Sequence, residues 1–111
     1  FLLTSPGPLT INPSLYKKLP FEPTKDFSPI ALVATVPIVL LVNPKVPATN
    51  VRELIALAKE KNGQMNFASS GVGSTHHLAA ELFKKMTNVR LSHIPYRGAA
   101  PAMNDLIAGH V

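Results

Sequence analysis

No cysteine occurs in the 111 residues. Disulfides and thiolate metal sites are therefore excluded, while the redox compartment stays open. Long apolar runs are missing too. The two longest, residues 30–36 and 38–42, are separated by Pro37, and neither approaches the ~20 residues that span a bilayer. Acidic side chains are scarce: Glu22, Asp26, Glu53, Glu60, Glu81 and Asp105 face 11 lysines and arginines, for a formal charge of +5. Such a balance points to an anionic partner. The basic residues are scattered, however, with two doublets (Lys17–Lys18 and Lys84–Lys85) and no aromatics interleaved. Nucleic acid is not an expected partner. An initiating methionine and a basic-then-apolar leader are absent as well. "FLLTS" reads as a strand already under way, the expectation for a fragment or a processed product.

What is present is a chain of one-domain length, 46% hydrophobic and 15% charged, which suits a globular fold with one small core. It divides near Pro37. Seven of the 11 prolines, from Pro6 to Pro37, fall in the first part. Proline fixes φ and lacks a donor, so loops and short elements are expected there. "NPSLYKKLP" can hold one or two helical turns, with Pro13 early in the first. "PIALVATV" (29–36) is short, β-branched and apolar, and reads as a buried strand.

The second part is regular. "IVLLVN" (38–43) reads as a strand. Val51, Leu54, Ile55, Leu57 and Ala58 then recur at helical spacing, which predicts a helix over 50–61. Asn50 and Glu53 have the spacing of a capping box, and Gly63 suits the stop. "MNFAS" is the next strand. A helix over 74–86 places Leu78, Leu82, Phe83 and Met86 on one face. "RLSHIP" is a third strand, and a helix over 99–108 stops at Gly109. Three strand–helix units in succession predict an α/β fold with a parallel sheet and right-handed crossovers.

In such a sheet the strand-to-helix loops all emerge at the carboxyl edge, where ligands bind. Three loops share that edge: "NPKVPAT", "SSGVGS" and "PYRGAA". The second and third contain glycine and open directly into helices. Helix N-termini present unpaired backbone donors and the positive end of a dipole, and so attract anions without a charged side chain. Gly71 and Gly73 allow close backbone approach, while Ser69, Ser70, Ser74 and Thr75 add hydroxyls. Tyr96, Arg97, Gly98 and Ala99 form the second such junction. The plainer reading is that Ser74 caps its helix and the glycines make a turn.

Competing chemistries fit less well. "GVGSTH" lacks the third glycine of a dinucleotide fingerprint and the lysine of a phosphate-binding Walker loop. "SSGVG" is not a nucleophile elbow, which places glycine two residues either side of serine. His76, His77, His93 and His110 could ligate metal in principle. Adjacent helical histidines point about 100° apart, so His76 and His77 do not converge on one ion. His77 is expected to pack or hydrogen-bond beside the glycine loop, and His93 to sit on a strand face near the same edge. A small α/β enzyme acting on an anionic substrate would need an acid–base pair near the loop, and the sequence offers none. A self-associating structural fragment is the other alternative.

The order "INPSLYKKLPFEPTKDFSPIALVATVPIVLLVNP", "FASSGVGSTHHLAAELF" and "HIPYRGAAPAMNDLIAGHV" closely resembles the Bug-type extracytoplasmic solute receptors of tripartite tricarboxylate transporters. The resemblance implies a two-lobed, type II periplasmic binding protein that closes on a small organic acid, commonly a carboxylate, and delivers it to membrane permease subunits. It implies no enzyme activity, and a periplasmic location after export, the signal segment not being present in this chain; no cofactor is expected, and no metal, because cysteines are absent and no helix carries a convincing ligand pair. By the same resemblance, 69–75 is the carboxylate-binding turn of the second lobe and 96–99 the neighbouring helix start. Thr4 and Ser5 lie in a loop where the first lobe meets the cleft. The ligand-binding set so implied is Ser5, Ser69, Ser70, Gly71, Gly73, Ser74, Thr75, Tyr96, Arg97, Gly98 and Ala99. Arg97 stands where many relatives have lysine, keeping the charge but adding a planar fork. Residues 1–36 then correspond to the end of the first lobe and a crossover, and 37–111 to an incomplete second lobe. A chain lacking the rest of both lobes is expected to expose sheet edges and to self-associate.

Overall fold

The computed structural model describes residues 2–111. The strand reading of "FLLTS" begins on Phe1, which lies outside the described residues; residues 2–5 form no regular structure. A widened π turn, Gly7–Ile11, runs straight into α1 (Asn12–Leu15). Pro13 cannot donate, and the Asn12 amide reaches five residues back to the Gly7 carbonyl, so the widened turn precedes the proline. The expected helical turn is therefore present and starts earlier than the sequence suggested. One further turn, α2 (Pro23–Asp26), follows, flanked by an edge-to-face contact of Phe21 and Phe27 with centroids 5.5 Å apart.

Residues 28–42 carry no secondary structure and are exposed throughout. The strands expected over 29–36 and 38–43 are thus not formed, and the first of the three strand–helix units consists of its helix alone. Apolar, β-branched composition reports a preference for burial. A strand also needs a neighbour to pair with its N–H and C=O groups, and this run has no ladder partner among the described residues. Its far end is nevertheless fixed. The buried Asn43 side chain donates to the carbonyls of Leu106 (2.7 Å) and Ile107 (3.1 Å) and accepts from the Lys45 amide (2.9 Å).

From there the chain follows its pattern. Helix α3 (Val51–Lys61) is capped by Asn50, whose side chain accepts from the Glu53 amide at 3.0 Å. The Glu53 carboxylate reaches back to the Thr49 amide and hydroxyl at 2.7 and 2.9 Å, one residue before the usual partner of a capping box. Asn62, with left-handed φ of 43°, ends the helix ahead of Gly63. Strand β1 (Asn66–Ser69), helix α4 (Thr75–Thr87), strand β2 (Ser92–Pro95) and helix α5 (Ala99–Ala108) complete the fold. The strands are parallel, with Asn66 opposite Ser92 and Ser69 opposite Pro95. Both α4 and α5 pack on β1. Leu54 and Ala58, one turn apart on α3, and Val89 after α4 are the buried apolar side chains. Among the described residues, no helix is long and apolar enough to cross a membrane.

Candidate functional site

The parallel register brings the β1–α4 and β2–α5 loops side by side. The Tyr96 amide donates to the Ser69 carbonyl at 2.9 Å, and a Cβ on Gly71 would lie 3.5 Å from the Tyr96 carbonyl. The two glycine junctions foreseen at the carboxyl edge are therefore one continuous feature.

Ser69, 2% exposed, forms the base of the first loop. Its hydroxyl donates to the Gly71 carbonyl (3.1 Å), accepts from the Gly71 amide (3.2 Å) and lies 2.7 Å from Nε2 of His93. A hydroxyl has one proton and two lone pairs, so His93 fills the last position as an Nε2–H donor. One turn later the Gly73 amide donates to Nδ1 of His77 at 3.2 Å, and the Ser74 hydroxyl accepts from the His77 amide at 3.2 Å. Ser74 is thus the N-cap of α4, as the plainer reading had it, and the amides of Gly71 and Gly73 are engaged within the loop. In the first turn of α4 that leaves the amides of Thr75 and His76, which lack helical partners. The Ser70 hydroxyl sits 2.9 Å from Nδ1 of His76.

Beneath the loop three rings stack in series. His77 and His93 have centroids 4.0 Å apart and 10° from parallel; His93 and Phe67 follow at 4.8 Å and 18°. Burial holds the His93 imidazole below its ordinary pKa, with the neighbouring His77 and Lys84 acting in the same direction and Glu81 opposing. Both histidines stand where the sequence placed them.

The second junction is built differently. Gly98, at φ 119° and ψ 174°, is the N-cap of α5 and supplies no side-chain cap. The amides of Ala99 and Ala100 are therefore open to a ligand, and Pro101 has none to offer. Arg97 is exposed beside them. The Tyr96 hydroxyl donates to Oδ2 of Asp105 at 2.6 Å, which raises the phenol's pKa and lowers the carboxyl's.

Ser5 reaches the same region through the chain's first helical stretch. A Cβ on Gly7 would lie 3.5 Å from the Gly73 carbonyl and 4.0 Å from the Ser5 hydroxyl. A Cβ on Gly73 would meet Leu15 at 2.8 Å and Asn12 at 3.4 Å. Sequence reasoning missed this packing of residues 7–15 on the loop, as it missed Asp105 behind Tyr96. The pairs are separated by tens of residues or by two helical turns, and no local pattern encodes them. Among the described residues, no group of three or more His, Cys, Asp or Glu side chains could hold a metal ion.

Comparison with known proteins agrees with this architecture. The profile of the tripartite tricarboxylate transporter family receptor matches residues 2–111. BugT of Bordetella pertussis is 38% identical over 110 residues, which cover 99% of this chain and 34% of BugT. A protein from the tcbD-tcbE intergenic region of Pseudomonas sp. strain P51 is 40% identical over 110 residues, 99% of this chain and 32% of that protein. The chain thus spans about a third of the length of the curated relatives it matches. Among solved structures, R. palustris Rpa4515 with adipate superposes with a TM-score of 0.82 at 40% identity, covering 86% of this chain and 32% of that one. MatC of Rhodopseudomonas palustris with bound malate gives 0.83 at 28% identity, covering 95% and 36%. The α/β fold with its parallel strands is that of these receptors, and this chain belongs to the tripartite tricarboxylate transporter receptor family.

Proposed function

We propose that the chain forms part of a periplasmic solute receptor that captures a small organic carboxylate for a tripartite tricarboxylate transporter. The observation that carries this reading is the pair of adjacent helix starts, α4 at Thr75 and α5 at Ala99, on the carboxyl edge of a parallel sheet. Their free first-turn amides, the hydroxyls of Ser70 and Thr75, and the Arg97 guanidinium together suit a carboxylate. Relatives of this fold hold adipate and malate, which supports a carboxylate as the ligand class. Residues 1–36 would be the end of the first lobe and a crossover, and 37–111 part of the second. Packing of Gly7, Asn12 and Leu15 against Gly73 would set the first-lobe segment, with Ser5, at the cleft. Lobe closure and hand-over to the permease subunits complete the mechanism.

A catalytic role finds less support. The Ser69–His93 contact resembles half of a nucleophile–base pair, but the hydroxyl is buried and its proton is committed to the Gly71 carbonyl. A nucleophile needs both access and an oriented base.

The test is calorimetry with adipate and malate on a two-lobed receptor carrying this sequence. Losing a hydrogen bond to a charged ligand costs roughly 1.5–3 kcal/mol. Ser70→Ala and Thr75→Ala should therefore each weaken binding about ten- to a hundredfold. Unchanged affinity in both variants rejects the site.

A further inference from the structure

The stacked imidazoles beneath the glycine loop are more than packing. Each contacts a different turn of the loop: His93 through the Ser69 hydroxyl, which holds both the amide and the carbonyl of Gly71, and His77 directly through the Gly73 amide. We infer that His77 and His93 are positioning residues for the loop, and that His77 acts only as a neutral imidazole, which makes the Gly73 turn sensitive to protons.

The chemistry follows from the acceptor. Nδ1 of His77 receives the Gly73 N–H only while its lone pair is free. A proton there sets two donors against each other, and the Gly73 amide must turn away. Stacking with His93, centroids 4.0 Å apart, favours the present place of the His77 ring. Two positive charges at that separation repel, so a charge on His77 opposes one on His93. The surrounding charges are few. Glu81, on the same helix as His77, places Oε1 3.9 Å from Nε2. Lys84 neutralises that carboxylate at 2.7 Å and lies 5.4 Å from the centroid of the Phe67 ring. From β2, His93 stacks on the ring. The segment packed on Gly73 from the other side contributes Asn12 and Leu15, both uncharged. Burial favours the neutral form of the His93 ring.

This inference concerns the loop itself and requires no ligand, so it stands or falls apart from carboxylate binding. The experiment is a ¹⁵N NMR titration of the 111-residue chain from pH 8 to 5, without carboxylate or phosphate buffer. The Gly73 amide resonance should move with the same midpoint as the His77 ring protons. Two variants separate positioning from bulk. His77→Gln offers a non-titrating acceptor, and its Gly73 amide should stay protected from exchange and indifferent to pH. His77→Phe keeps a ring in the stack without an acceptor, and at pH 8 its Gly73 amide should exchange at least tenfold faster. A Gly73 amide unmoved across the titration in the unmodified chain would overturn the inference. So would protection in His77→Phe equal to that of the unmodified chain.

Discussion

Gly73 and Gly98 both have positive φ, but their constraints differ. Gly73, at 76°, lies in the left-handed region, and an added Cβ would press on Leu15 at 2.8 Å. Gly98, at 119° with ψ 174°, occupies a region that is almost closed to other residues, yet nothing lies within 4 Å of its would-be Cβ. Backbone strain of this kind costs of order 1–3 kcal/mol. Both Gly73→Ala and Gly98→Ala should lower the urea midpoint accordingly. Only Gly73→Ala should also loosen residues 7–15, because Leu15 must move to admit the methyl. Limited proteolysis of that stretch distinguishes the two: faster cleavage in Gly73→Ala alone is expected, and equal cleavage in both would contradict the packing described. At this scale the sequence was informative where a residue acts on near neighbours. Ser74 as a cap and His77 beside the glycine turn were legible from spacing. The contact of Tyr96 with Asp105 was not, because its partner lies two turns into the following helix.

Among elements, α3 shows how much local chemistry can specify. Asn50 caps it, and Glu53 answers by holding Thr49. Asn50→Ala should cost about 1 kcal/mol, measurable as a shift in thermal midpoint. The carboxyl of Glu53 is held below its usual range by the Thr49 amide first, then by the Thr49 hydroxyl and Asn50. A depressed carboxylate stabilises the fold at pH values above its unfolded-state pKa. That contribution fades as pH falls through the lower, folded value. The destabilisation by Glu53→Gln should accordingly be larger at neutral pH than in acid; an equal effect at both would remove the carboxylate from the cap. Helices α3, α4 and α5 were legible because apolar spacing, caps and stops agreed within each segment. β1 and β2 were legible because each is tied to a following helix. The runs over 29–36 and 38–43 were misread for one reason: composition reports what a segment would bury, whereas pairing is decided by whatever lies beside it.

For the whole molecule the balance is tilted toward solvent. The radius of gyration is 16.3 Å, against about 13 Å for a compact chain of this length. The accessible surface is 8628 Å², where a folded monomer of this mass would show about 5900 Å². Much of the excess is apolar: Ile30, Leu32 and Val36 are 90%, 83% and 83% exposed. Surfaces of that kind seek partners. Light scattering on the chain alone should report species above the monomer mass, and the double variant Leu32→Lys/Val36→Lys should shift the distribution toward monomer. A monodisperse monomer at high concentration would show that the run is covered in solution. The clasp of Asn43 on the end of α5 bears on time rather than on surface. It joins residues 63 and 64 positions apart, so it closes a long loop at an entropic cost. Such a contact is expected to form on the native side of the folding barrier. Asn43→Ala should therefore leave the refolding rate nearly unchanged and speed unfolding: the side chain that anchors the exposed run also sets how long the folded chain lasts.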